Sequence, residues 1–237
     1  MSEKPVDTSE PNKPLAKSGL WHYAIRILRH PRTTMRRLIA EHPRSGVVVL
    51  PILAGVFTAP AGAMMAMSVV EGRQAMIWVG VLALSIVGYW MYVYMYGGAY
   101  RMIGGWLGAG GDNSASRLAL AWTQVPYLIV WTITVPWQLF YRDEYFPKVE
   151  LGSIEALQEL AAIEHSTGYY AINAFTYIGC LAAYIWSLFL LAEALQCSAW
   201  KAFGVKMIAV LLHIPIFMAV AIPAVILAAA FAVMTTM

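Results

Sequence analysis

Glu193 and His213 are the ionisable side chains best placed to do chemistry, because each falls in or beside a long apolar run. Glu193 lies about a turn inside the end of one run. His213 lies about two turns into the next, beside Pro215. Burying charge in hydrocarbon is costly, so an acid or imidazole at that depth is by default a functional hypothesis. Two readings compete: a proton or ion relay, and a plain helix–helix or interfacial pairing in which Lys201 or Lys206 meets Glu193. With Gln124 and Asn173 these two form a candidate intramembrane polar site.

Other catalytic patterns are missing from the sequence. It has no HExxH, no paired-cysteine motif and no Gly-x-Ser-x-Gly. His22, His30, His42, His165 and His213 are scattered without metal-ligand spacing. The glycine-rich stretch RMIGGWLGAGGDNSASR, 101–117, has neither a preceding strand nor a following Lys-Ser/Thr, so it does not read as a nucleotide loop. Gly104, Gly105, Gly108, Gly110 and Gly111 are expected to supply tight turns instead. The sequence therefore implies no catalytic residues, no cofactor, no metal and no nucleotide.

The elements that must position these residues are long. Residues 47–70, 74–100, 118–141, 166–192 and 207–237 contain no Asp, Glu, Lys or Arg. Each exceeds the roughly 20 residues that cross a ~30 Å hydrocarbon core. The chain is 60% hydrophobic and 12% charged, with mean hydropathy +0.62. The expected fold is therefore all-α: a polytopic membrane bundle of five transmembrane helices, residues 46–237, with a basic amphipathic segment before it. Cys180 and Cys197 stand in or at the end of the fourth span, which argues against a disulfide framework.

Charge orients the bundle. With the N-terminus inside, 13 of the 16 Lys and Arg residues fall on the cytoplasmic side. Only Arg73, Arg142 and Lys148 fall outside. Short-loop Lys/Arg bias of this kind predicts N-terminus in and C-terminus out, in a cytoplasmic (inner) membrane. The outer connection, 142–165, is acidic (Asp143, Glu144, Glu150, Glu155, Glu159, Glu164), and Ser153 is placed to cap a short helix within it.

Residues 1–19 are rich in Pro, Ser, Lys and Glu and read as a disordered tail. In 20–45, Trp21, Ile25 and Leu28, then Met35, Leu38 and Ile39, recur at helical spacing. Arg26, Arg29, Arg32, Arg36 and Arg37 fill other positions, and Pro31 suits the first turn of a second helix. Two interfacial helices result. Their aromatic and aliphatic side chains would enter the bilayer, and their arginines would meet anionic headgroups or a protein partner. Lipid headgroups account for these basic residues better than nucleic acid does.

Within the spans, Gly55/Ala59 and Gly62/Ala66 are small-xxx-small pairs suited to close helix packing, within the bundle or between copies. Tyr89, Trp90, Tyr92, Tyr94, Tyr96 and Tyr100 suggest an interfacial aromatic belt. Thr123, Gln124, Pro126, Thr132, Thr134 and Pro136 suggest a kinked third span facing the bundle interior.

Two stretches, ILRHPRTTMRRLIAEHP (27–43) and YRMIGGWLGAGGDNSASRLALAWTQVPYL (100–128), resemble the bacterial branch of the Ypt/Rab-interacting-protein (Yip) domain family. The likeness extends over roughly 25–235. It departs from eukaryotic members where AWTQVP replaces a Gly-Tyr pair before the proline, and it lacks their longer cytoplasmic domain. The resemblance implies a five-span, non-enzymatic membrane protein with a cytoplasmic N-terminus. Eukaryotic members associate with small GTPases and with each other, and there are no catalytic residues to transfer. The expected function is an organising, trafficking-like or accessory subunit with membrane-protein partners or a homo-oligomer. The alternative is a small transporter or channel subunit, with a polar path through Gln124, Asn173, Glu193 and His213 between spans kinked at Pro51, Pro60, Pro126, Pro136, Pro215 and Pro223.

Overall fold

A computed structural model describes residues 20–69, 74–146 and 165–212. Every regular element within them is a helix. They are α1 (Leu20–Arg29), α2 (Pro31–Glu41), α3 (Val49–Val69), α4 (Gln74–Trp106), α5 (Asn113–Phe140), α6 (Arg142–Tyr145) and α7 (Thr167–Ala194). Residues 199–212 form a further helix, α8. The expected tail, the helix capped by Ser153, and His213 lie outside the described residues.

Three helices are long and apolar enough to cross a bilayer: Ala75–Trp106, Asn113–Phe140 and Thr167–Ala194. The chain is an all-helical membrane protein. The first expected span corresponds to α3, whose described apolar part, Val49–Met64, is shorter. The fifth corresponds to α8 and residues outside the described set.

The helices outrun the uncharged segments at one end. α4 continues to Trp106 rather than stopping near Tyr100, α5 begins at Asn113, and α7 ends at Ala194. At 1.5 Å per residue the 33 residues of α4 extend about 50 Å, well past the ~30 Å apolar core. This end, where α4 stops and α5 starts, is called the basic end below. Gly104 and Gly105 lie inside α4 and make no turn, contrary to the sequence expectation. Gly104 is helical because a bare backbone fits beneath Leu195, whose Cδ2 would lie 3.3 Å from an added Cβ. The turn falls on Gly108 and Gly111, with φ of +68° and +79°, where a side chain would be strained. At Gly111 a Cβ would also strike the Ala194 carbonyl, so this turn is seated against the end of α7.

α5 is the central helix, packing against α3, α4 and α7. It is apolar or small on nearly every side between Ala115 and Pro126, the pattern of a helix surrounded by others. Asp112 starts it: its Oδ1 accepts the Ala115 N–H at 2.6 Å. The helix runs unbroken through Pro126 and Pro136. Thr123 and Thr132 spend their hydroxyls on Leu120 and Leu128 carbonyls of the same helix.

α3 meets α4 through Gly55. An added Cβ there would lie 2.6 Å from the Ile86 Cα and 2.7 Å from its N, so the two backbones touch. Ala59 is buried nearby, and Gly62 faces Val81. The expected aromatic belt is instead largely internal. Tyr100 is buried, Tyr92, Tyr94 and Tyr96 pack on the core, and the Tyr92 and Tyr100 hydroxyls share a hydrogen bond. Their positions fall on the side of α4 that meets α5, which a tally of aromatic residues does not reveal.

Candidate functional site

The amphipathic helices do not simply lie on a membrane. α1 packs on α5 and α2 on α7. Tyr23, Ile27, Met35 and Leu38 are buried in the same core as Trp122 and Leu190. On α1 the residues the sequence pattern singled out, Trp21 and Ile25, point away, and Trp21 is 77% exposed. The helix has two apolar stripes, and Tyr23 with Ile27 is the one the bundle takes.

Two indoles fasten the segment. Pro31 has no N–H, so the Ile27 carbonyl four residues earlier loses its ordinary helical donor. Trp186 of α7 supplies the replacement, its Nε1–H donating to Ile27 O at 3.0 Å. Trp122 of α5 donates likewise to Ser45 O at 2.9 Å, just before α3. Tyr23 packs edge-on against both Trp122 and His42.

Glu193 belongs to this junction. Arg36 donates to its Oε2 from Nε at 3.2 Å and from Nη2 at 3.0 Å. Arg32 Nε stands 4.0 Å from Oε1, with its guanidinium over the Phe189 ring. The partner is thus an arginine of α2 rather than Lys201 or Lys206. α2 crosses the end of α7 and brings its arginines there, and Lys206 is turned elsewhere. The Lys206 side chain is buried, its ammonium hydrogen-bonded to Ser187 Oγ and 4.5 Å above the Tyr184 ring. No carboxylate pairs with Lys206 among the described residues.

An open cleft of about 450 Å³ lies beside the ion pair, lined by Arg36, Ile39, Ala192, Glu193, Gln196 and Cys197. Cys197 is a free thiol. Burial pushes it above its ordinary value, opposed by the Lys201 charge and a hydrogen bond to the Ala202 backbone.

Gln124 and Asn173 are not brought to this place. Gln124 is buried in α5, its Nε2 donating at 3.4 Å to the Leu120 carbonyl of its own helix. Asn173 is 20 residues before Glu193 on α7, about 30 Å along the axis. Among the described residues no three His, Cys, Asp or Glu side chains gather as metal ligands.

The family model described as the Yip1 domain matches residues 25–233. The chain belongs to the Yip1 domain family. No curated protein and no solved structure matches it. The Yip1 domain begins within α1, so the buried stripe, the two indole bonds and the Arg36–Glu193 pair all fall inside it.

Arg26, Arg29, Arg32, Arg36 and Arg37, proposed from sequence as one surface, divide. Arg32 and Arg36 turn toward Glu193. Arg29 and Arg37 are exposed with no partner among the described residues, and Arg26 is half-buried. Sequence reasoning missed Trp186 and Trp122. The signal was available only in Pro31, which announces a carbonyl in need of a donor.

Proposed function

We propose that this Yip1-domain protein is a non-enzymatic, five-span protein of the cytoplasmic (inner) membrane, acting as an organising, trafficking-like or accessory subunit. Its spans are about 47–70, 74–100, 118–141, 166–192 and 207–235, with the N-terminus cytoplasmic and the C-terminus outside. Residues 1–19 form a tail, 20–45 the basic segment and 46–237 the membrane domain. The Lys/Arg asymmetry supports that orientation.

The observation that carries the reading is the seating of α1 and α2. Their apolar stripe and two arginines are committed to the bundle, and Trp21, Arg29 and Arg37 are left outward on a rigidly held platform. A platform of that kind suits contact with another protein or an anionic leaflet. Association through it needs no reacting group. Gly55, Ala59, Gly62 and Ala66 then serve to close α3 onto its neighbour.

The test is purification of the full chain in mild detergent with identification of what accompanies it. Replacing Arg26, Arg29 and Arg37 by Gln leaves the Arg36–Glu193 pair intact. Loss of the accompanying proteins is expected. Unchanged partners with unchanged membrane association would overturn the reading.

A further inference from the structure

The cleft at the end of α7 holds a cationic and an anionic side chain side by side, an arrangement matched by few ligands. Arg36 uses two of the five N–H donors of a guanidinium on Glu193, and both go to Oε2. Its other donors have no protein partner among the described residues. Glu193 Oε1 accepts no hydrogen bond among them, its nearest cation being Arg32 at 4.0 Å. Gln196 adds an amide with no side-chain hydrogen bond among the described residues, and Ile39 and Ala192 add apolar wall.

Position narrows the ligand further. Ala192 and Glu193 are within the last residues of a candidate membrane span, so the cleft opens where lipid headgroups lie. The carboxyl end of a helix carries about half a negative charge, which favours a cation beside Glu193. A volume near 450 Å³ falls within the range, roughly 300–1,000 Å³, of small-molecule sites.

We propose that this cleft binds the zwitterionic headgroup of an aminophospholipid, that is, a phosphate and a primary ammonium two carbons apart. The phosphate takes the free N–H groups of Arg36. The ammonium donates to Glu193 Oε1 and to the Gln196 amide oxygen. The glycerol end rests on Ile39 and Ala192. A choline headgroup has no N–H to give Glu193, and a glycerol headgroup brings no cation at all. Discrimination therefore rests on Glu193 and Gln196, and general phosphate affinity on Arg36. The proposal concerns a lipid and does not require the association reading above.

The experiment titrates delipidated full-length protein with phosphatidylethanolamine, phosphatidylcholine and phosphatidylglycerol of identical acyl chains, reading bound lipid by native mass spectrometry. Phosphatidylethanolamine is expected to bind about tenfold tighter than the other two, the value of one charge-assisted hydrogen bond. Glu193→Gln should abolish that preference, and Arg36→Gln should weaken all three. Gln196→Leu leaves the ion pair in place and should reduce phosphatidylethanolamine binding alone, which guards against misfolding of the other variants. Equal binding of the three lipids by the unaltered chain, or an intact preference in both Glu193→Gln and Gln196→Leu, would overturn the proposal. Free phosphoethanolamine binding as tightly as the lipid would overturn the assignment to a membrane ligand.

Discussion

Arg36 of α2 sets Nε and Nη2 on a single oxygen of Glu193, 157 residues further along the chain, at 3.2 and 3.0 Å. The two ends of this bond are unequal: the Arg36 side chain is 74% exposed and that of Glu193 15%. Removing the arginine therefore leaves a sheltered carboxylate short of a partner. Removing the carboxylate leaves a solvated guanidinium. Arg36→Gln should destabilise more than Glu193→Gln, with a coupling of about 0.5–1 kcal/mol in a double-mutant cycle on thermal unfolding in detergent. The exchange Arg36→Glu with Glu193→Arg should recover much of the loss. A cycle that closes to zero would show that the pair does not couple α2 to α7.

Trp186→Phe keeps the ring and deletes the N–H that answers the Ile27 carbonyl. Trp122→Phe does the same for Ser45. Each should cost about 1 kcal/mol and, together, raise hydrogen exchange across residues 20–45 more than in the spans. Exchange spread evenly over the chain would count against these bonds as the fastening.

Gly55 tests the α3–α4 contact. A leucine there must drive apart two backbones that already touch, costing about 1–3 kcal/mol as overpacking. Gly62→Ala meets only the end of the Val81 side chain at 3.1 Å, so a small shift accommodates it. Thermal unfolding of the two variants should differ clearly. Similar midpoints would mean that the helices separate without cost.

The Cys197 thiol is pushed up by burial, so at neutral pH it carries less thiolate than a free cysteine. With Cys180 replaced by Ser, alkylation of Cys197 should be slower than that of a model thiol at pH 7 and should keep accelerating above the pH where the model levels off. Lys201→Gln removes an opposing charge and should slow it further. Alkylation at or above the model rate would refute the assigned environment.

The helical bundle was legible from composition alone because uninterrupted apolar runs have few other outcomes in a chain of this kind. The ends of the helices were not. Gly104 and Gly108 look alike in sequence, and only the neighbour, Leu195 above Gly104, decides which stays helical. Glu193 was legible as a residue of interest, since an acid at the end of an apolar run is rare. Its partner was not, because three cations lie nearer in sequence terms than Arg36 does in any linear reading. The inner stripe of α1 was hidden for a related reason. Tyr23 and Ile27 are no more apolar than Trp21 and Ile25, and the choice between them rests on where Trp122 stands.

The bond from Trp186 to Ile27 spans 159 residues, with the acceptor made first and the donor last. At ~5–20 residues per second, ~10–30 s of synthesis separate the two. Throughout that interval α1 and α2 exist without the surface they finally occupy. A helix pair with an apolar stripe and a ring of arginines has a ready resting place meanwhile, the leaflet beside the ribosome. The amphipathic pattern thus serves the nascent chain on lipid and the finished chain on protein, and the handover waits for the completion of α7.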